Sequence, residues 1–443
     1  MKRPFSITIR VYMAWAIYLP VVGISFMVAW LDRKLRFPLS FPRDVDQLQG
    51  RKDWLIAELK KNAALPADAV VAACTVTPMD QSNIFRSDAA KIAISYTSDG
   101  LEQTLMCFAK FAPSMGTVWN KTIFNLQLNH IKESWFNEYF IRQDAIPAPR
   151  VFISKVSAAT GNLCLVTELM TGDTEYREAA YDNLTEAHLD MALDGLATLH
   201  ARYWGDTSER MKRVLPIDDI TVYFFDSLVA GSWSAPARTV LVKSWTLMNR
   251  RQTVLHGDSR IGNMMFPVAP DGRYVMIDWQ ATRQGRAAFD LAYFLVLSLI
   301  SSHRKMVEAT SKNKYYECLL AKGVQGYSRQ DFEEDYRHAC LCVLVLLSLP
   351  MLSGEVSVDG FAALIFVYGM GVWKERMRIM FDDFDYSWMA QHYGLTEQQA
   401  RDAVCEMLDV IQKRLDGISS ASDIKQSLVE ILKENNQRYD YEV

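Results

Sequence analysis

His256-Gly257-Asp258-Ser259-Arg260-Ile261-Gly262-Asn263, followed by Ile277-Asp278-Trp279-Gln280, is the stretch that decides the reading of this 443-residue chain. An Asp on a loop can accept the proton of a hydroxyl, and an Asn five residues later can reach a metal on the far side of a reacting phosphate. Met264–Phe266 and Arg273–Ile277 read as two short strands around Pro270-Asp271-Gly272, a hairpin that returns Asp278 to the side of Asn263. An amide oxygen and a carboxylate make a hard-oxygen pair suited to Mg2+. Phosphoryl transfer asks for little more than a positioned hydroxyl, a bound metal and compensated phosphate charge. A lone Asp after a strand is commonly only a turn former or cap. The chemistry rests on all three residues at matching spacing.

The pattern H-G-D-x-x-x-x-N, then I-D-W-Q, then Phe289-Asp290-Leu291-Ala292-Tyr293-Phe294-Leu295, resembles the aminoglycoside phosphotransferase family of small-molecule kinases. Asp278-Trp279-Gln280 and Leu196-Ala197-Thr198-Leu199-His200-Ala201-Arg202-Tyr203-Trp204 resemble its ecdysteroid-kinase-like and choline-kinase-like branch. The resemblance covers about residues 70–300. It implies Asp258 as catalytic base, Asn263 and Asp278 as Mg2+ ligands, and Lys110 as the strand lysine that contacts the phosphates of ATP. Glu133 is the implied helix partner of Lys110, in preference to Glu138. Leu165–Met170, with Glu168 and Met170, is the implied hinge where backbone meets adenine. Asp290 and His256 are the implied braces of the loop. One departure stands out: residues 79–87, expected to cover the phosphates, contain no glycine, and no G-x-G-x-x-G precedes Lys110, which argues against an ordinary protein kinase. Ser82 is the candidate there, on the family's use of a serine-bearing loop.

Lys110 also speaks for itself. It lies between Cys107-Phe108-Ala109 and Phe111-Ala112, an apolar setting in which an unpaired ammonium is costly. Around it, VVAACTV (70–76), AKIAISY (90–96) and TLMCFAKFA (104–112) read as strands, with a turn at Ser98-Asp99-Gly100. Val45–Lys60 and residues 123–144 read as helices, the second stopped by Pro147 and Pro149. Val151–Val156 and Leu163–Leu169 read as a hairpin around Thr160-Gly161-Asn162. From Thr185 onward the pattern is mainly helical, apart from the short strands near the motif, Thr253–Leu255 among them. His200, on an apolar helical face, reads as a hydrogen-bonded core residue. The expected fold is α+β: a bilobal, protein-kinase-like arrangement with a small strand-rich N-lobe (44–170) and a large helical C-lobe (171–443).

Half of the residues are hydrophobic and 23% are charged, which excludes a disordered chain. The net charge of −4 gives no sign of a nucleic-acid partner. Seven scattered Cys read as reduced thiols rather than a disulfide or zinc framework. Val11–Leu31 runs without a charge and would span about 31 Å as a helix, close to a bilayer core. Tyr12, Trp15 and Trp30 lie near its ends, and Lys2, Arg3, Arg10, Arg33, Lys34 and Arg36 flank it. Residues 1–43 are therefore expected to form a hydrophobic N-terminal helix and linker that associate with a membrane, the kinase part facing the cytoplasm; the alternatives are a helix lying in the interface or docked on the protein. The functional expectation is transfer of the γ-phosphate of ATP, with Mg2+, to a hydroxyl of a small molecule, with a lipophilic alcohol as one candidate. The rivals are a pseudokinase that binds nucleotide without turnover and a metal-dependent hydrolase using His256 and Asp258.

Overall fold

The computed structural model describes residues 5–79, 88–112, 128–170, 176–178, 184–214, 219–269, 272–349 and 361–419. Strands β1 (Val70–Pro78), β2 (Asp88–Ser98), β3 (Leu101–Phe111), β4 (Val151–Val156) and β5 (Leu163–Glu168) form one antiparallel sheet in the order β1-β2-β3-β5-β4. Alternation builds it: Ala90, Ile92, Ile94 and Tyr96 of β2 are buried on one face. Ser98 pairs with Leu101 across the turn at Asp99 (φ 50°) and Gly100 (φ 75°), the two left-handed residues that a tight hairpin requires. The β4–β5 hairpin turns at Gly161, also left-handed. Helices α2 (Val45–Gly50) and α3 (Lys52–Lys61) bring Leu48, Leu55 and Leu59 onto the sheet's core with Ile92, Ile94, Cys107 and Phe111. The single helix expected over Val45–Lys60 is thus two, broken at Arg51, whose φ of −126° and ψ of 42° are not helical. Helix α4 (Asn129–Phe136) continues as a π-type turn through Asn137–Ile141; residues 123–127 lie outside the described set.

The rest is helical: α5 (Glu186–Arg202), α6 (Asp219–Val229), α7 (Ala235–Met248), α8 (Ala288–Ser298), α9 (Ser301–Ala321), α10 (Arg329–Ser348), α11 (Phe361–Asp382), α12 (Tyr386–Tyr393) and α13 (Glu397–Ser419). Thr185 and Ser328 open α5 and α10 with reciprocal capping boxes. Every residue of α8 is buried, and Leu341–Val345 of α10 pack beside it in a second apolar core. Between them run short strands: β6 (Tyr176–Glu178), β8 (Met264–Pro267) and β9 (Val275–Met276) in the order β6-β8-β9, and β7 (Thr253–Leu255) with β10 (Arg283–Gly285). The α+β character of the chain, a strand-rich sheet with a helical remainder, is as expected.

Helix α1 (Phe5–Leu35) carries Pro20 within it and lies against α6. Among the described residues no helix is long and apolar enough to cross a membrane, so a span over Val11–Leu31 is not supported. The helix's own contacts give a physical reason. Ala29 and Asp32 are buried, and Asp32 accepts from Asn162 (3.0 Å) in the β4–β5 turn and pairs with Arg43 (3.5 Å). One face of α1 is committed to the protein.

Candidate functional site

Two backbone devices assemble the site. The first is the β8–β9 ladder, in which Met264 pairs with Met276 and the Ile277 N–H donates to Asn263 O at 2.9 Å. This places Asp278 beside Asn263 as the spacing predicts; the turn residues 270–271 lie outside the described set. The second is the register of β3, where Lys110 pairs with Ala89 and Leu165. Its Nζ donates to Glu133 Oε1 at 2.8 Å and to Asp278 Oδ1 at 2.6 Å. Glu133 is therefore the partner, while Glu138 pairs with Arg142 at 3.0 Å. Burial alone would lower the Lys110 pKa, but the carboxylates of Asp278 and Glu133 hold it well above its ordinary value. Burial pushes Asp278 up, and the Lys110 charge outweighs it and holds the carboxyl below its usual range. Asp278 has φ 65°, a left-handed conformation that costs a non-glycine residue of order 1 kcal/mol and tends to persist where function requires it.

The loop is held from behind. Asp290 is fully buried; its Oδ2 accepts from the His256 N–H (2.6 Å) and its Oδ1 from the Gly257 N–H (2.9 Å), while its carbonyl accepts from Ser259 Oγ (2.8 Å). Burial raises its pKa, and the bonds to His200 and Gly257 more than offset this. His200 Nε2 meets Asp290 Oδ2 at 3.1 Å and its Nδ1 meets Tyr315 Oη at 2.6 Å, the satisfied core role expected of it. His256 Nδ1 accepts from the Asp258 N–H (3.3 Å), which leaves Nε2 to donate to Ile277 O (2.9 Å) and fixes the tautomer. Gly257 has φ 82°, and a Cβ there would sit 2.2 Å from Ala281 O, so only glycine fits. Asp258 accepts from Asn263 Nδ2 at both its backbone O and its Oδ2, each at 2.8 Å.

The hinge candidates fare differently. The carboxylate of Glu168 is a strap, accepting from the Arg150 N–H (2.6 Å), Arg150 Nε (3.0 Å) and Arg273. Burial raises its pKa; these bonds hold it below the usual range. The Glu168 N–H donates to Arg150 O (2.9 Å), its carbonyl accepts from Thr167 Oγ1 (3.1 Å) and the Leu169 N–H donates to Met106 O (3.3 Å), and Met170, partly buried, follows. Ser82 falls within residues 80–87, outside the described set.

Four neighbours were not read from sequence. Arg260 Nε lies 3.4 Å from Asp258 Oδ1, Gln280 Nε2 donates to Asp278 Oδ2 (3.2 Å), the buried Tyr293 hydroxyl is raised well above its ordinary pKa by burial and then by the Asp258 charge, and Arg283 lies against Gly257. Tyr293 had a signal: it stands three residues after Asp290 on α8, hence on the same side of that helix. Arg283 had none.

No group of three or more His, Cys, Asp or Glu that could hold a metal occurs among the described residues. The donor pair of Asn263 and Asp278 nevertheless fits Mg2+. Asn263 spends Nδ2 on Asp258 and keeps Oδ1, Asp278 is ionised, and Mg2+ fills its remaining positions with water and phosphate.

Residues 139–321 match the Phosphotransferase enzyme family, so the family resemblance carried by the motifs is borne out over that stretch. No curated protein matches the chain. Among solved structures, the GDP complex of aminoglycoside 2'-phosphotransferase-IIIa is similar at 11% identity and TM-score 0.43, over 74% of this chain and 99% of that one. Choline kinase LicA from Streptococcus pneumoniae is similar at 12% and 0.42, over 75% and 99%. A Plasmodium vivax ethanolamine kinase is similar at 13% and 0.43, over 68% and 81%.

Proposed function

We propose that this chain is a small-molecule kinase that uses ATP and Mg2+ to phosphorylate a hydroxyl, on a bilobal protein-kinase-like fold with lobes 44–170 and 171–443. The observation that carries the reading is the convergence of Lys110, Glu133 and Asp278, from β3, α4 and the turn after β9, beside the Asp258–Asn263 pair. In this reading Lys110, fixed by Glu133, holds nucleotide phosphates, and the backbone at Leu169 O and Met170 receives the base. Asn263 and Asp278 hold Mg2+, which when bound neutralises phosphate charge. Asp258 orients the acceptor hydroxyl and takes its proton, with Asn263 and Arg260 fixing its carboxylate. His256 and Asp290 hold the loop from the rear.

The reading extends to a membrane-soluble alcohol as acceptor and to attachment at the cytoplasmic face of a membrane. Its support is the outer face of α1, where Leu19, Ile24, Phe26, Met27 and Trp30 are exposed ahead of Arg33, Lys34 and Arg36.

The test is Asp258→Asn. It keeps the bond from Asn263 in reach and removes the base, so turnover across a panel of alcohols read by mass shift should fall about 100-fold or more. Mg-ATP affinity measured by calorimetry should stay within a few-fold of wild type. Undiminished phosphoryl transfer by this variant, or no Mg-ATP binding by the wild-type chain, would refute the proposal.

A further inference from the structure

Glu133 is the member of the lysine cluster whose placement the site itself does not explain. Its Oε1 accepts from Lys110 at 2.8 Å, and its Oε2 is buried without a hydrogen-bond partner. One bond to a flexible lysine does not fix a carboxylate, so the position of Glu133 is set by α4. That helix opens at Leu128 without a side-chain cap and meets the sheet at Ser134, whose Oγ lies 2.9 Å from Ser154 Oγ. Its far end is anchored elsewhere. Phe136, three residues after Glu133, stacks on Trp279 (4.8 Å) and on Phe140 (5.0 Å), and Phe140 meets Tyr203 edge to face (5.4 Å). Beyond the π-type turn, Asp144 accepts from Arg202 Nη2 (2.7 Å) and Tyr203 Oη (2.9 Å) at the end of α5, and from Arg210 Nη1 (2.8 Å). The Arg210 guanidinium also lies 5.1 Å from the Phe140 ring centre and 5.6 Å from that of Tyr203. The Asp144 side chain is only 5% exposed. Burial pushes its carboxyl up; the bonds from Arg202 and Tyr203 and the charge of Arg210 outweigh that and hold it below its ordinary range.

The same end of α5 holds the loop of the candidate base. His200 Nε2 meets Asp290 Oδ2 at 3.1 Å, and Asp290 takes the amides of His256 and Gly257. The His200 carbonyl accepts from Thr253 Oγ1 (2.6 Å) on β7, three residues ahead of His256. Within residues 200–203 the chain therefore grips both the loop that carries Asp258 and the helix that carries Glu133. We propose that Asp144 is a positioning residue: it ties α4 to the end of α5, so that Glu133 stands in register with the loop and Lys110 is held between Glu133 and Asp278. This gives Arg202 and Tyr203 a role that their place in the 196–204 segment did not reveal. The consequence for nucleotide rests on the kinase reading, because only there does Lys110 meet phosphates. The anchor itself is a matter of geometry and is tested without nucleotide.

The full chain is pulsed with a dilute amine-acylating reagent, and modification of Lys110 is followed by mass spectrometry well below the melting temperature of each variant. Asp144→Asn leaves Tyr203 an oxygen but removes the charge that gathers the two arginines, and should raise the Lys110 rate about fivefold or more. Tyr203→Phe takes away a single hydroxyl and is the second probe should the first variant fail to fold; it should raise the rate by less. Glu133→Gln should raise it too. Asp144→Asn added to Glu133→Gln should then change the rate by less than about twofold, because Asp144 acts through Glu133. In a parallel arm, Mg-ATP affinity by calorimetry should weaken in the same order. Lys110 reactivity like wild type in both Asp144→Asn and Tyr203→Phe overturns the anchor, and so do effects of Asp144→Asn and Glu133→Gln that multiply in full, as two independent structural losses would. A wild-type chain that binds no Mg-ATP refutes the kinase reading instead, and the acylation rates still decide the anchor.

Discussion

Lys110 holds one positive charge between two carboxylates, Glu133 at 2.8 Å and Asp278 at 2.6 Å, from elements far apart in the chain. The three are not equivalent. The side chain of Glu133 is 2% exposed and that of Asp278 is 26% exposed, so loss of the cation falls hardest on Glu133. Removing one member of a buried ion pair costs about 3–5 kcal/mol because the survivor keeps its desolvation penalty. Lys110→Met should therefore lower the urea midpoint sharply, and Lys110→Met with Glu133→Leu should recover part of the loss, because the most buried carboxylate then goes with the cation while the more exposed Asp278 stays without it. Nucleotide binding should be lost in both. A single variant as stable as wild type would mean that the pair is not formed as described. These residues were legible in the sequence because each stands at a fixed distance from a marker: Lys110 in an apolar strand, Asn263 five residues after Asp258, Asp278 just past a hairpin. Arg260, Arg283 and Gln280 were not, because what gives them a role is who sits opposite, and no periodicity encodes that.

At the scale of elements, helices α10 and α12 meet through His338. It is buried, its Nδ1 faces Tyr393 Oη at 2.8 Å, and its ring lies 4.9 Å from that of Trp388, with His392 beyond at 6.1 Å. Burial, then the cations around it (His392, Lys243, Arg250 and Arg286), lower its pKa from 6.5 to about 3. The sign follows from proton counting. Between those values the unfolded chain binds a proton that the folded one refuses, so stability is fully present above about pH 6.5 and is lost as pH falls, at up to about 1.4 kcal/mol per unit. His338→Gln should be less stable at pH 7 yet show a visibly flatter fall in urea midpoint from pH 6.5 to 5; parallel slopes for the two proteins would show that the His338 charge is not excluded. The larger elements were readable from pattern, including β1 to β5 and the helical run after Thr185. The short ones were not. A three-residue strand such as β6 or β10 has no period to read, and it exists because β8 or β7 offers an unpaired edge. The break at Arg51 escaped notice because the apolar spacing continues across it.

For the whole molecule the open question is what α1 does, since it has two faces with different demands. Toward the protein it presents Ala29 and Asp32, and Asp32 ties the helix to Asn162 of the sheet and to Arg43. Away from it stand Leu19, Ile24, Phe26, Met27 and Trp30, between 42% and 59% exposed. A helix that served only as a removable address would have no reason to bury an aspartate in the body of the protein. One that served only as a structural brace would have no reason to leave that much large apolar side chain in water. The two roles separate experimentally, because they sit on different residues. Asp32→Ala removes one of the two acceptors of Asn162 Nδ2, Thr160 Oγ1 (2.8 Å) remaining, together with the carboxylate that Arg43 pairs with, and should cost about 1–3 kcal/mol in urea unfolding, while flotation on vesicles containing anionic lipid stays as in wild type. Ile24→Glu with Met27→Glu places two charges on the outer face and should abolish flotation, with the urea midpoint unchanged or raised. If the glutamate pair unfolds the chain, the outer face is packed against protein after all. If it floats like wild type, α1 is a brace alone, and the case for a membrane-soluble acceptor goes with it.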